Sequence, residues 1–293
     1  MGATSLHRDR PSLKQSGALQ PRLNLPAPPG WAFPAALCLL TALGFAIRAA
    51  NITQGLYGDE LSTAWIVHGR GLGRVISLVY SDAEVTPPLS FVLAWISLKI
   101  GSSWAWLRLP SLLAGTATIP IVYGIGARTS GRTAGLTAAA ITALSAVMIM
   151  FSTEARNYAV MMAAVAGSTL SMLLALDTGR VRWWVLYAFC SCVAMYSHYT
   201  AAFVLIVQAV WLLWRHPQAR RAVILANLGA AAVYAPWIPG WIKDTHSVTI
   251  PIINVLAPFN FGAVRTAVAH WAIGYPYLGI HQSPGVTFAV LIC

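Results

Sequence analysis

Apolar runs of similar length follow one another along this chain. They cover residues 31–50, 109–127, 133–151, 158–176, 183–196, 200–214 and 222–241. A helix needs about 20 apolar residues to cross the roughly 30 Å hydrocarbon core of a bilayer. Lipid offers no partner to backbone N–H and C=O groups, so such a segment satisfies them internally as an α-helix. The expected fold class is therefore an all-α polytopic membrane protein. Composition agrees, with 57% of the 293 residues hydrophobic and 9% charged.

The turns between the runs set an expected orientation. Residues 128–132, 177–182 and 215–221 carry Arg128, Arg132, Arg180, Arg182, Arg215, Arg220 and Arg221. Short basic turns stay on the cytoplasmic side. Segment 1–30 is basic as well, through Arg8, Arg10, Lys14 and Arg22. It reads as a disordered cytoplasmic tail ahead of one transmembrane domain over 31–293. No small-residue cleavage site follows run 31–50, which is expected to remain as a signal anchor. The stretch 87–100 is short, and a crossing there would reverse every later turn. It fits a helix lying in or dipping into the outer leaflet, which makes 51–108 one large extracytoplasmic loop.

With that topology, six of the eight carboxylates lie outside: Asp59, Glu60, Asp82, Glu84, Glu154 and Asp244. Ionisable groups at a membrane are costly unless they sit at a polar boundary or do chemistry. The outer mouths of the spans are thus the candidate functional side of a multi-pass plasma-membrane protein. The net charge of +11 is spread over short turns, so it reads as orientation bias and attraction to membrane lipids rather than a nucleic-acid surface. Arg48 lies near the end of the first run, from where it is expected to snorkel. Cys38, Cys190, Cys192 and Cys293 all lie in apolar runs and read as small buried hydrophobes.

Three short polar segments can carry chemistry. Asp59 and Glu60 follow the first run. Adjacent carboxylates repel, which raises a pKa and suits a general base; they can equally bind a divalent cation or cap a helix. Asp82 and Glu84 precede Pro87 and Pro88, where acids ahead of a helix N-terminus are favourable. Glu154 and Arg156 lie between two runs, either as a structural ion pair or with Arg156 offered to a phosphate. His198 and Tyr199 stand at another outer end, where a histidine is commonly a hydrogen-bonded boundary residue.

Taken in order, Gly58-Asp59-Glu60, Pro87-Pro88-Leu89, Leu107-Arg108-Leu109-Pro110-Ser111, Glu154-Ala155-Arg156-Asn157-Tyr158 and His198-Tyr199 form a set. Over about residues 31–242 the chain resembles GT-C membrane glycosyltransferases of the dolichyl-phosphate-mannose protein mannosyltransferase-like group, glycosyltransferase family 39 and its bacterial relatives. The resemblance implies a GT-C-like helical bundle whose large first outer loop contains a juxtamembrane helix. It implies transfer of a sugar from a polyprenyl-phosphate carrier to an extracytoplasmic acceptor hydroxyl. Asp59 and Glu60 map onto the acidic pair that supplies the base. Glu154 and Arg156 map onto the second outer motif.

From the residues themselves, Arg156, with Arg108 or Lys99, would stabilise the departing phosphate, and His198 joins the donor-binding candidates. Asp59 and Glu154 are the candidate ligands of any divalent cation. Relatives carry more spans, so a chain ending at Cys293 is expected to be truncated at its C-terminus. The competing reading is a membrane transporter or a non-catalytic scaffold. Transporters place ionisable groups near the bilayer midplane and commonly contain repeats; neither is evident in this sequence.

Overall fold

The computed structural model describes residues 30–81, 84–247 and 260–273. Asp82, the tail 1–29 and the apolar piece 286–293 lie outside the described residues. Every regular element among them is helical. In order these are α1 (Ala32–Ala49), α2 (Asp59–Val67), α3 (Leu72–Tyr80), α4 (Leu89–Ser97), α5 (Trp104–Thr129), α6 (Arg132–Leu144) and α7 (Ala146–Ser152). Next come α8 (Tyr158–Thr178), α9 (Val181–Ser197), α10 (Ala201–Arg215), α11 (Arg220–Tyr234), α12 (Ile238–Thr245) and α13 (Phe261–Ile273).

Four helical stretches are long and apolar enough to cross a membrane: Ala32–Ala49, Trp104–Thr129, Tyr158–Thr178 and Pro217–Thr245. α10 is a shorter apolar helix. Side chains such as Phe203, Val207 and Trp214 are exposed on α10. Large apolar surfaces of this kind are tolerated when hydrocarbon is the solvent. The protein is an all-α polytopic membrane protein.

The run 133–151 is not the single continuous helix expected from its composition. It breaks at Ser145 into α6 and α7, bent by 59°. Arg48 explains how the break is tolerated. Its side chain does not snorkel; it is fully buried. Nη1 donates to the carbonyls of Gly44 and Ala143, both at 2.9 Å, and Nη2 to that of Thr142 at 3.0 Å. A helix end leaves carbonyls without intrahelical donors, and the guanidinium supplies them where lipid could not.

Helices pack through small residues. α5 and α6 form a hairpin around Gly131, whose φ of 93° is open to glycine. A Cβ on Gly135 would lie 2.8 Å from the Tyr123 carbonyl oxygen and 2.9 Å from the Ala127 nitrogen. The backbones therefore touch there, the close approach that small residues permit in membranes. At the same end Arg128 pairs with Asp177 at 3.5 Å, joining two of the arginine-bearing turns. α8 and α10 are tied by Gln208, which donates to Thr169 Oγ1 at 2.8 Å and accepts from Ser168 Oγ at 3.1 Å.

The short helices α2, α3 and α4 form a separate layer over the other end. α4 has nine residues, about 14 Å at 1.5 Å per residue, half a bilayer core. Pro88 caps it, and its buried face is Phe91, Ala94 and Ser97. Phe91 and Ala94 pack with Ile66, Val67, Val75 and Val79 of α2 and α3, and with Leu107, Ala155 and Trp237 of the bundle. The layer is thus seated on the bundle by a shared apolar core.

Gly135→Val is expected to force α5 and α6 apart. Overpacking typically costs about 1–3 kcal/mol. Thermal unfolding in detergent should show a lowered midpoint for this variant and little change for Gly229→Val, a position with open space around it.

Candidate active site

The polar end of the bundle is organised by one buried ion pair. Gly58, at φ 51°, turns the chain into α2, so Asp59 and Glu60 fall in its first turn, where the helix dipole favours acids. Glu60 points inward and Asp59 outward. Arg108, in the second turn of α5, meets Glu60 side on: Nε donates to Oε1 at 2.7 Å and Nη2 to Oε2 at 2.5 Å. The other guanidinium protons go to the carbonyls of Ile52, Gln54 and Gly55 at 3.0, 2.6 and 2.9 Å. All five donors of Arg108 are used. Glu60 also accepts from the backbone N–H groups of Ala155 at 2.7 Å and Tyr57 at 3.1 Å.

The structure places Glu60 and Arg108 against each other with their hydrogen-bonding groups engaged; together they join the first loop, α5 and the 152–157 link into one frame. Burial pushes the Glu60 carboxyl up, but the Arg108 hydrogen bond, the two N–H groups and the Arg108 charge outweigh it and hold it below its ordinary value.

Asp59 is left open beside this frame, with its side chain 74% exposed. Arg156 Nη2 stands 3.6 Å from Asp59 Oδ2, and Arg156 Nη1 pairs with Glu84 Oε2 at 3.1 Å. Glu84 therefore faces Arg156 rather than capping α4. Among the described residues no Glu154–Arg156 ion pair forms. Desolvation opposes the Arg156 charge, yet Glu84 and Asp59 hold its pKa above the usual value. His198 stacks on Tyr158 with centroids 5.5 Å apart. Burial, then the Arg156 charge, lower its pKa against the pull of Glu84, so the ring is neutral at pH 7. Behind it, Tyr199 donates to Asp244 and accepts from Trp237 Nε1.

Glu60 and Arg108 also line a cleft of about 560 Å³. Ala146, Val147, Ile149 and Met150 of α7 give it an apolar wall, and Asn51, Gln54, Tyr57, Thr153 and Glu154 also line it. Burial and then the charges of Glu60 and Asp59 raise the Glu154 pKa, against Arg156 and Arg108. The structure thus brings Asp59, Glu84, Arg156 and His198 together, with Glu154 in the neighbouring cleft. Lys99 is not brought in: its ammonium lies 4.7 Å above the Trp95 ring. No group of three or more His, Cys, Asp or Glu side chains among the described residues is placed to hold a metal ion. The α7 wall was missed in the sequence because the break at Ser145 carries no Gly or Pro. Gln54 and Tyr57 were missed because single polar residues in a loop have no periodicity.

The family model for dolichyl-phosphate-mannose-protein mannosyltransferases matches residues 85–241. This stretch includes α4, Arg108, Glu154, Arg156 and His198. The chain belongs to that family. It is a membrane glycosyltransferase of the GT-C type, mannosyltransferase-like, and the family implies a lipid-linked sugar donor and contact with membrane lipids. Comparison with curated proteins and with solved structures gives no match. Asp59 and Glu60 precede the matched stretch, but the Glu60–Arg108 and Asp59–Arg156 contacts tie them to it.

Removing one partner of a buried pair typically costs about 3–5 kcal/mol. Glu60→Gln should therefore destabilise the protein strongly near neutral pH. Because the folded pKa of Glu60 is depressed, its contribution is present above the unfolded value of about 4.3. It is lost as pH falls through the lower folded value. The stability gap between wild type and Glu60→Gln, followed by thermal unfolding across this range, should close on acidification.

Proposed function

We propose that this glycosyltransferase moves a sugar from a polyprenyl-phosphate carrier to an acceptor hydroxyl on the extracytoplasmic side, with Asp59 as base. One observation carries the reading. Asp59 is an accessible carboxylate held 3.6 Å from a nearly buried guanidinium, Arg156. A base and a phosphate-binding cation are the two groups that this transfer requires.

In the transfer, Asp59 takes the proton of the acceptor O–H. The oxygen attacks the anomeric carbon and a new glycosidic C–O bond forms. The C–O bond to the carrier phosphate breaks, and the phosphate leaves with the electron pair. Arg156 faces that developing charge, where a prealigned cation in a partly dry site acts more strongly than in water. Its planar fork suits a phosphate. His198, stacked on Tyr158 and close enough to Arg156 to feel its charge, can donate one hydrogen bond to the phosphate without adding charge. Glu60 and Arg108 hold the loop that carries Asp59. Base catalysis supplies typically about 10²–10⁴ in rate, so positioning and electrostatics supply the remainder. The transporter and scaffold readings have no comparable support: the intramembrane Ser168–Gln208–Thr169 contact is neutral and ties two helices.

Orientation is set by the basic turns. Ser130 is expected on the cytoplasmic side and Ser62, in α2, outside. Membrane-impermeant thiol reagents on intact cells should label Ser62→Cys and not Ser130→Cys; the reverse pattern would invert the topology.

Asp59→Asn keeps the volume and removes the basicity. Transfer from a polyprenyl-phosphate sugar should fall by about 10²-fold or more at unchanged protein level. Arg156→Lys keeps the charge but loses the fork, so donor use should weaken more than acceptor use. Unchanged donor binding by monodisperse Arg156→Ala would instead assign the residue to a structural pair.

A further inference from the structure

Arg48 takes no part in the chemistry above, although among the described residues it is the largest fully buried side chain. It is a cation near the end of a membrane-crossing helix, and its three hydrogen bonds all go to backbone carbonyls. Two of those carbonyls are informative. α6 ends at Leu144, and the Ser145 N–H still bonds to the Ile141 carbonyl at 2.8 Å. The next two carbonyls, Thr142 and Ala143, would be served by the N–H groups of Ala146 and Val147 in a continuous helix. The 59° bend turns those N–H groups away. Arg48 supplies donors to these same two carbonyls, and its charge suits the negative end of the α6 dipole.

Two further details fit this arrangement. Gly44, one turn before Arg48, lies against α6: a Cβ there would be 3.2 Å from Arg48 Nη1 and 3.3 Å from Ala143 Cβ. Ser145 Oγ accepts from the Met148 N–H at 3.4 Å, starting α7. The bend is therefore capped on both sides, by α1 below and by Ser145 above. Beyond the bend the chain enters the site. Ala146, Val147, Ile149 and Met150 form the apolar wall of the 560 Å³ cleft. The chain then runs directly into Glu154, the Ala155 N–H that holds Glu60, and Arg156.

We propose that Arg48 is a positioning residue for sugar transfer: by capping the broken end of α6 it sets the direction of α7, and with it the cleft wall and the link carrying Glu154 and Arg156. The reaction part of this proposal rests on the polyprenyl-phosphate transfer proposed above; the hinge part rests on the geometry alone. A planar fork reaches two adjacent carbonyls at once, whereas an ammonium does so less well. Lysine should therefore restore the hinge in part and methionine not at all.

The test uses full-length protein in lipid nanodiscs, with the four native cysteines replaced by alanine. Spin labels at Ser130→Cys and Met150→Cys report the bend, and labels at Tyr57→Cys and Met150→Cys report the cleft width. Straightening the bend would lengthen the first distance by about 3 Å, given a 1.5 Å rise per residue. In Arg48→Met, both distance distributions should shift or broaden. Arg48→Lys should fall between it and wild type. Without labels, kcat for a polyprenyl-phosphate sugar should fall about tenfold or more per folded molecule in Arg48→Met, with partial recovery in Arg48→Lys.

Native distances in monodisperse Arg48→Met would overturn the proposal. So would a lower yield whose folded fraction keeps native distances and native kcat, which would leave Arg48 a purely stabilising residue. If the distances shift but wild type transfers no sugar from the polyprenyl-phosphate carrier, the proposed transfer reaction fails while the hinge assignment stands.

Discussion

The pairing of Glu60 with Arg108 is the constraint on which the polar end of this protein depends. It joins residues 48 apart in sequence with four acceptor contacts on the carboxylate and five donors on the guanidinium. A buried ion pair is weak evidence of stability in itself, because desolvation offsets the attraction. Here the remaining protons and lone pairs are satisfied by backbone groups of the first loop and the 152–157 link. The pair therefore acts as a fastener for the first loop, the start of α5 and that link. Its neighbour Asp59 gains from this arrangement: the backbone that carries it is fixed, yet its own carboxylate stays open.

The bundle beneath obeys the rules of lipid solvent. Apolar faces can remain exposed, but an unpaired backbone carbonyl cannot. The break between α6 and α7 is possible because Arg48 and Ser145 satisfy it from within the protein. The same break gives the site a wall that a straight helix could not. Fold irregularity and site geometry thus share one physical origin, a cation buried against a helix terminus.

Within the site, neighbouring carboxyl groups are driven in different directions. Glu60 is held ionised by its donors, and Glu154 is pushed toward its protonated form by burial and by nearby acids. Groups of one kind acquire separate parts in this way. Arg156 is shared between Glu84 and Asp59, so it is held in place yet keeps one edge toward an open carboxylate.

Much of the architecture was legible in the residues alone. Apolar run length marked α1, α5, α8 and the 217–245 stretch, because crossing hydrocarbon demands a fixed length of helix. Adjacent acids and the Glu154–Arg156 segment stood out as candidates, because charge is rare in such a chain. The partners were not legible. Arg156 faces Glu84 instead of Glu154, Arg108 is consumed by Glu60, and Arg48 turns inward. Each of these choices is made between segments far apart in sequence, where only the packing of α1 on α6 and of the α2–α4 layer on the bundle brings donors and acceptors together. Composition and periodicity determined that the chain is a helical membrane protein with its acids gathered in a few segments. The tertiary structure decided which acid is saturated and which is open, because hydrogen-bond saturation depends on distance in space and not on spacing in the chain.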